Sequence, residues 1–176
     1  GLIYALFATT MLTYTTFIVT AMVDGLSVSK GTAGLLWACV GGLSIFSGTL
    51  FGNISDRFGH KVGMMCGLTV QATAYGLVAA GTGEIGLYIS VVLFGLSAWS
   101  MPSIVAAASG DYLGPEKAAA GFAILTLMFA VGQVVGPTGA GMLAESTGGF
   151  AAAFGLAMGV NLLAAFLCLF LRRAPA

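Results

Sequence analysis

The stretch 52–64, GNISDRFGHKVGM, gathers Asp56, Arg57, His60 and Lys61 and sets Gly52 and Gly59 beside them. Their chemistry is electrostatic. Asp56 can accept hydrogen bonds from backbone N–H groups at a helix start, and Arg57 and Lys61 can hold carboxylates or lipid phosphates. Gly52 and Gly59 permit positive φ or close backbone approach. A second polar stretch, Asp111, Gly114, Pro115, Glu116 and Lys117, combines acids, turn formers and a base. Groups of this kind suit a hinge. A plainer alternative is a set of solvated loop charges that only orient a membrane chain, each pair worth under about 1 kcal/mol.

Uncharged polar residues form a second set. Thr9, Thr13, Thr16 and Thr20 are spaced four, three and four apart, which puts them on one helical face, with Thr10 and Tyr14 beside it. Ser97, Ser100 and Ser103 surround Trp99 and Pro102, and Gln71, Gln133 and Asn161 stand alone in apolar surroundings. Such groups can hydrogen-bond and stack on a solute but cannot neutralise a buried carboxylate. Equally, membrane Ser and Thr can bond to their own backbone, and an amide can tie two helices together. No enzyme is expected: one histidine and carboxylates confined to the ends of apolar segments offer no acid–base pair, nucleophile triad or metal cluster. No phosphate-binding loop occurs, and no cofactor is expected. Cys39, Cys66 and Cys168 lie singly in apolar sequence without ligand spacing, as small packing residues would.

The elements that carry these residues follow from composition. Of 176 residues, 59% are apolar and only 7% charged, a balance that places the chain among integral membrane proteins. Zero net charge and no basic run argue against nucleic acid as a partner. A bilayer core needs roughly 20 apolar residues per helix, and the charges cut the sequence into segments of that length. Helices are expected over about 2–23, 33–54, 62–80, 85–110, 118–143 and 150–171, with every charge in a turn or at an end. Short turns between them predict one compact all-α bundle.

Crossings alternate, so both ends, the Asp56 turn and the Asp111 turn share one side. That side carries Arg57, Lys61, Lys117, Arg172 and Arg173, against Lys30 on the other, which makes it cytoplasmic by the positive-inside rule. A cytoplasmic Asn53–Ser55 sequon is discounted as a glycosylation site. No basic n-region or cleavage site opens the sequence, so no signal peptide is expected and the chain reads as a piece of something longer.

Gly52, Asp56, Arg57, Gly59 and Lys61 stand in the order and spacing of the signature loop of major facilitator superfamily transporters, G-x-L-a-D-R-x-G-R-K, with Ile54 for Leu and His60 for the second Arg. The chain therefore resembles that family over one six-helix unit. Gly132, Gly136, Pro137 and Gly141 are similar to the Gly-Pro motif of a fifth helix in superfamily exchangers, with Ala140 replacing one Gly. Read physically, Gly132, Gly136 and Ala140 make a flat helix-packing stripe and Pro137 a kink. The pairs Gly132-Gln133, Gly136-Pro137, Thr147-Gly148 and Ala153-Phe154 resemble bacterial monocarboxylate-type and efflux-like members, without specifying a substrate.

The resemblance implies an MFS half-domain, 1–176, of two three-helix inverted repeats, about 1–80 and 84–173. The ending Arg172-Arg173-Ala174-Pro175-Ala176 favours the carboxyl-terminal half. By the same resemblance Asp56, Arg57 and Asp111 form an interhelical charge cluster at a cytoplasmic gate, and the first and fourth helices line a substrate cavity. Cavity candidates are Thr9, Thr13, Thr16, Thr20, Ser97, Trp99 and Gln133. The small stripes of the second helix (Gly41, Ser44, Gly48, Gly52, Ser55) and of the fifth are expected to meet helices of a second bundle, either the missing half or an identical copy. The function implied is secondary active or facilitative transport of a small solute by alternating access, in a bacterial cytoplasmic (inner) membrane. A six-helix scaffold or assembly subunit without transport is the alternative. A channel ranks third, since the paired Asn-Pro-Ala half-helices of water channels are missing.

Overall fold

The computed structural model describes residues 1–171, all in helices and short turns. Arg172 and Arg173 lie outside them. The helices are α1 (Leu2–Thr20), which runs on through a π-helical turn (Ala21–Gly25), α2 (Lys30–Phe58), α3 (His60–Ala79), α4 (Gly83–Ser97), α5 (Ser100–Leu113), α6 (Pro115–Thr147) and α7 (Ala151–Leu167). Among the described residues, six spans are long and apolar enough to cross a membrane: Leu2–Gly25, Lys30–Phe58, His60–Ala79, Gly83–Leu113, Pro115–Thr147 and Ala151–Phe170. They correspond to the six expected from sequence.

Helix ends follow local chemistry. Ser29 caps α2 by accepting the Thr32 N–H at 3.1 Å. Pro115 opens α6, where its missing N–H costs nothing, and Gly148 closes it in the left-handed conformation.

Two expectations change. The polar stretch 52–64 is not a loop: α2 runs through Asp56 and Arg57 to Phe58, α3 starts at His60, and Gly59 alone makes the turn. Gly114 does the same between α5 and α6. The fourth span, expected as one helix, breaks at Ala98–Trp99. Pro102 is the physical reason, since it has no N–H for the carbonyl of Ala98 and its ring crowds that oxygen. The break is supported from α2, where the Ser47 hydroxyl accepts the Trp99 N–H at 2.8 Å. Pro137, by contrast, sits inside an unbroken α6.

The most extensive contacts pair α1 with α6, α3 with α7, and α2 with α4. Aromatic side chains fill the centre, where Tyr14 stacks on Phe94 at 4.0 Å and meets Tyr75 and Phe154 at 5.5 and 5.7 Å. Outer faces of α2 and α6 stay open, with Leu35, Ile45, Phe46, Ile124, Leu127 and Val134 exposed.

The seam between α1 and α6 overturns one packing expectation. The fifth-helix stripe of Gly132, Gly136 and Ala140 is buried and faces inward. A Cβ on Gly132 would lie 2.2 Å from the Ala5 carbonyl oxygen, and one on Gly136 2.2 Å from that of Thr9. The stripe lets two backbones of this chain touch, so it is not left over for a second bundle. On α2 the stripe divides: Gly48 lies against Ser103, whereas Gly41 and Gly52 meet nothing within 4 Å.

Candidate functional site

The site is built on the α2–α3 turn. Gly59 adopts φ 91°, ψ 155°, in the range that favours glycine. Its N–H donates to the Ser55 carbonyl at 2.8 Å, and its own carbonyl accepts from Val62 and Gly63, both at 3.1 Å. One residue thus ends α2 and starts α3. Arg57, in the last turn of α2, lies where a cation complements the helix dipole.

This reversal places His60 between two oxygens. Its Nδ1 lies 2.7 Å from the buried Ser55 hydroxyl, and its Nε2 lies 2.8 Å from Oδ2 of Asp111, near the end of α5. An ionised carboxylate only accepts, so Nε2 carries a proton and donates to Asp111. Nδ1 accepts from Ser55 when the ring is neutral and donates to it when the ring is charged. The His60 side chain is 11% exposed and that of Asp111 62%; the pair sits at the rim of the bundle.

Ser55, Asp56, Gly59, His60, Lys61, Asp111 and Tyr112 line one open cleft of about 780 Å³. The Lys61 ammonium donates to the Leu169 carbonyl and so joins α3 to the 3₁₀ turn (Cys168–Phe170) that follows α7. The Tyr112 ring stands 6.4 Å from that of His60. An apolar cavity of about 450 Å³, lined by Tyr4, Met64, Met101, Val105 and Ile124 among others, reaches the other side of His60.

Of the gate candidates, Asp56, Gly59, Lys61 and Asp111 are thus brought to one cleft, with different pairing from that expected, while Gly52 and Arg57 do not line it. Asp111 takes His60 as its partner rather than Arg57 or Asp56. Asp56 and Arg57 are exposed and form no ion pair among the described residues. The reason is geometric: α2 remains helical through both, with Asp56 at the edge of the cleft and Arg57 outside its lining, while the turn directs His60 toward α5. Gly52 lies within α2 with open space where a Cβ would project.

Among the cavity candidates, Thr9 and Thr13 donate to the Ala5 and Thr9 carbonyls at 3.0 and 2.9 Å. Thr9 also lies in the seam against Gly136. Ser97 is buried and donates to the Leu93 carbonyl at 2.7 Å. Thr16, Thr20 and Gln133 are exposed on the bundle, as is Trp99 at the break. Neither of the cavities above is lined by any of the seven, nor is a third of about 590 Å³ near Asp24 and Glu145.

Gln71 and Asn161 serve as ties between helices. Thr10 donates to Asn161 Oδ1 at 2.9 Å; the Asn161 amide donates to the Leu68 carbonyl and to Gln71 Oε1, both at 3.3 Å. Tyr75 also donates to Gln71 Oε1, at 3.2 Å, and the Gln71 amide donates to the Ser97 carbonyl at 3.1 Å. Beside this network Tyr14 and Ser90 share a hydrogen bond of 2.9 Å, and Ser90 donates to the Ala74 carbonyl. Sequence reasoning missed the roles of Ser47, Ser55 and Ser90. For Ser55 a signal existed, since it stands five residues before the lone histidine across a glycine turn.

The model of the Major Facilitator Superfamily matches residues 1–176. "Major facilitator superfamily domain-containing protein 10" of Bos taurus is 30% identical over 114 residues, 65% of this chain and 25% of that protein. A "Putative tartrate transporter" of Agrobacterium vitis is 28% identical over 149 residues, 80% of this chain and 32% of that protein. The chain thus spans about a quarter to a third of the length of these relatives. A family match from end to end, on six apolar spans with the signature turn between the second and third, makes this chain an integral membrane protein that belongs to the major facilitator superfamily.

Proposed function

We propose that the chain forms one six-helix half of a transporter that moves a small solute by alternating access. The α2–α3 turn and the end of α5 serve as its gate. The observation that carries this reading is the His60–Asp111 contact, which bolts the signature turn to the fourth span across the mouth of a cleft. An interhelical contact at a rim can break and re-form at little cost, as a gate requires. Asp56, exposed in the same cleft, is left to meet a second bundle.

The open faces of α2 and α6 support a second six-helix unit as partner, in the intact protein or as a copy of this chain. The pairing of α1 with α6 and α2 with α4, and of α3 with α7, suits two three-helix repeats related by a pseudo-two-fold axis. The gate face is assigned to the cytoplasm, on the weight of Arg57, Lys61 and Lys117 against Lys30.

Solute contacts fall to exposed neutral groups, Thr16, Thr20, Trp99 and Gln133. The relative named for tartrate raises a dicarboxylate as the solute class. Since the basic residues of this chain lie at span ends, an anion would take its counter-charge from the partner unit. The test is solute uptake by the complete assembly in vesicles, with Asp56→Asn and Asp111→Asn inserted as folded protein. Both are expected to lower uptake, and normal uptake in both would remove the gate.

A further inference from the structure

The family loop carries an arginine, charged at every physiological pH, where this chain has His60. Histidine gains and loses a proton near neutrality. The structure places this titratable ring in a bridge, with Ser55 of α2 on one nitrogen and Asp111 of α5 on the other. From these contacts we infer that the gate is a proton-dependent latch, closed by the His60 imidazolium on Asp111 and loosened when the ring is neutral. The inference rests on the gate reading above and adds what sets the gate.

Both protonation states are compatible with the bridge, because the Ser55 hydroxyl can either donate or accept. In the neutral ring Ser55 donates to Nδ1 and Nε2–H donates to Asp111. After protonation Nδ1–H donates to Ser55 Oγ, whose hydroxyl proton turns elsewhere, and the contact with Asp111 gains a full charge. Charge-assisted bonds are roughly twice as strong as neutral ones. The contact is therefore strongest at low pH and weakens as pH rises.

Other charges face the ring. Asp56 of α2 and Lys61 of α3 line the same cleft, with Tyr112 of α5. Asp56 adds to the pull of Asp111 on a cation. Lys61 opposes it, but its ammonium is held at the Leu169 carbonyl. Among the described residues, Asp111 is the carboxylate that pairs with the ring.

The test is a distance between spin labels at Asn53 of α2 and Glu116 of α6, both exposed and outside the bridge, in the complete protein in lipid vesicles. Between about pH 8 and pH 5 the ratio of short to long distances should rise about two- to fivefold, the scale of a rim ion pair. H60R should hold the short distance at both pH values, and H60Q should lose the response. Asp111→Asn, which leaves the turn untouched, should also lose it and covers the case of a misfolded H60R. A wild-type distribution that ignores pH would overturn the latch, as would a full response in Asp111→Asn. Uptake measured in parallel separates the two ideas: a retained distance response without any uptake supports the latch and removes the transport reading.

Discussion

A Cβ placed on Gly136 of α6 would lie 2.2 Å from the carbonyl oxygen of Thr9 in α1. No side chain fits at that distance, and the obstacle is backbone rather than a flexible tip. Gly136→Ala is therefore expected to force the two helices apart, at about 1–3 kcal/mol. Gly139→Ala, three residues on with nothing within 4 Å, should be neutral or slightly stabilising, because alanine is the better helix former. Thermal melting of the two variants in detergent measures the difference. Equal melting temperatures would mean that the seam is loose.

Asn161 joins Thr10, Leu68 and Gln71 at the buried centre. Asn161→Leu would cut these ties between helices, but the Thr10 hydroxyl keeps the Phe7 carbonyl and the Gln71 amide oxygen keeps Tyr75, so neither is stranded at the full cost of about 1–3 kcal/mol. Interhelical hydrogen bonds in membranes average less, about 0.6 kcal/mol, so a loss below that range is expected. Gln133→Leu, on an exposed face, should leave melting unchanged. If the two variants melt alike, the network is dispensable.

The signature glycines should part company. Gly59, at φ 91°, cannot become alanine without strain, and Gly59→Ala is expected to cost upward of about 1 kcal/mol. Gly52 is helical and open where a Cβ would project, so Gly52→Ala should leave the melting of this bundle intact. A Gly52→Ala protein with normal melting and reduced uptake would place Gly52 against a second unit. Parallel melting and uptake assays read both effects.

Topology is checked by labelling. Asn53, in the last turns of α2 before α3 begins, and Thr82, just beyond the far end of α3, are both exposed. Single cysteines at these positions should react from opposite sides of sealed vesicles, with Asn53→Cys shielded from outside. Reaction of both from one side would dismiss the assigned topology.

Much of this was legible in the sequence because membranes simplify it. Apolar segments of about 20 residues, separated by Asp24, Asp56 to Lys61, Glu84, Asp111 to Lys117 and Glu145, leave few ways to cross a bilayer, and six helices follow from length and charge alone. The signature turn was legible too, through the spacing of Gly52, Asp56, Arg57, Gly59 and Lys61. What spacing could not supply was direction. Thr9 and Thr16 share a face on paper, yet Thr9 closes against Gly136 while Thr16 stays exposed. Pro137 and Pro102 look alike in sequence, but only the second interrupts its span, where Ser47 of α2 receives the freed N–H of Trp99. The choice of His60 rather than Arg57 as the partner of Asp111 is likewise tertiary. A single positive-φ glycine decides which side chains of a charged run leave along one helix and which turn toward another, and that decision depends on where α5 ends.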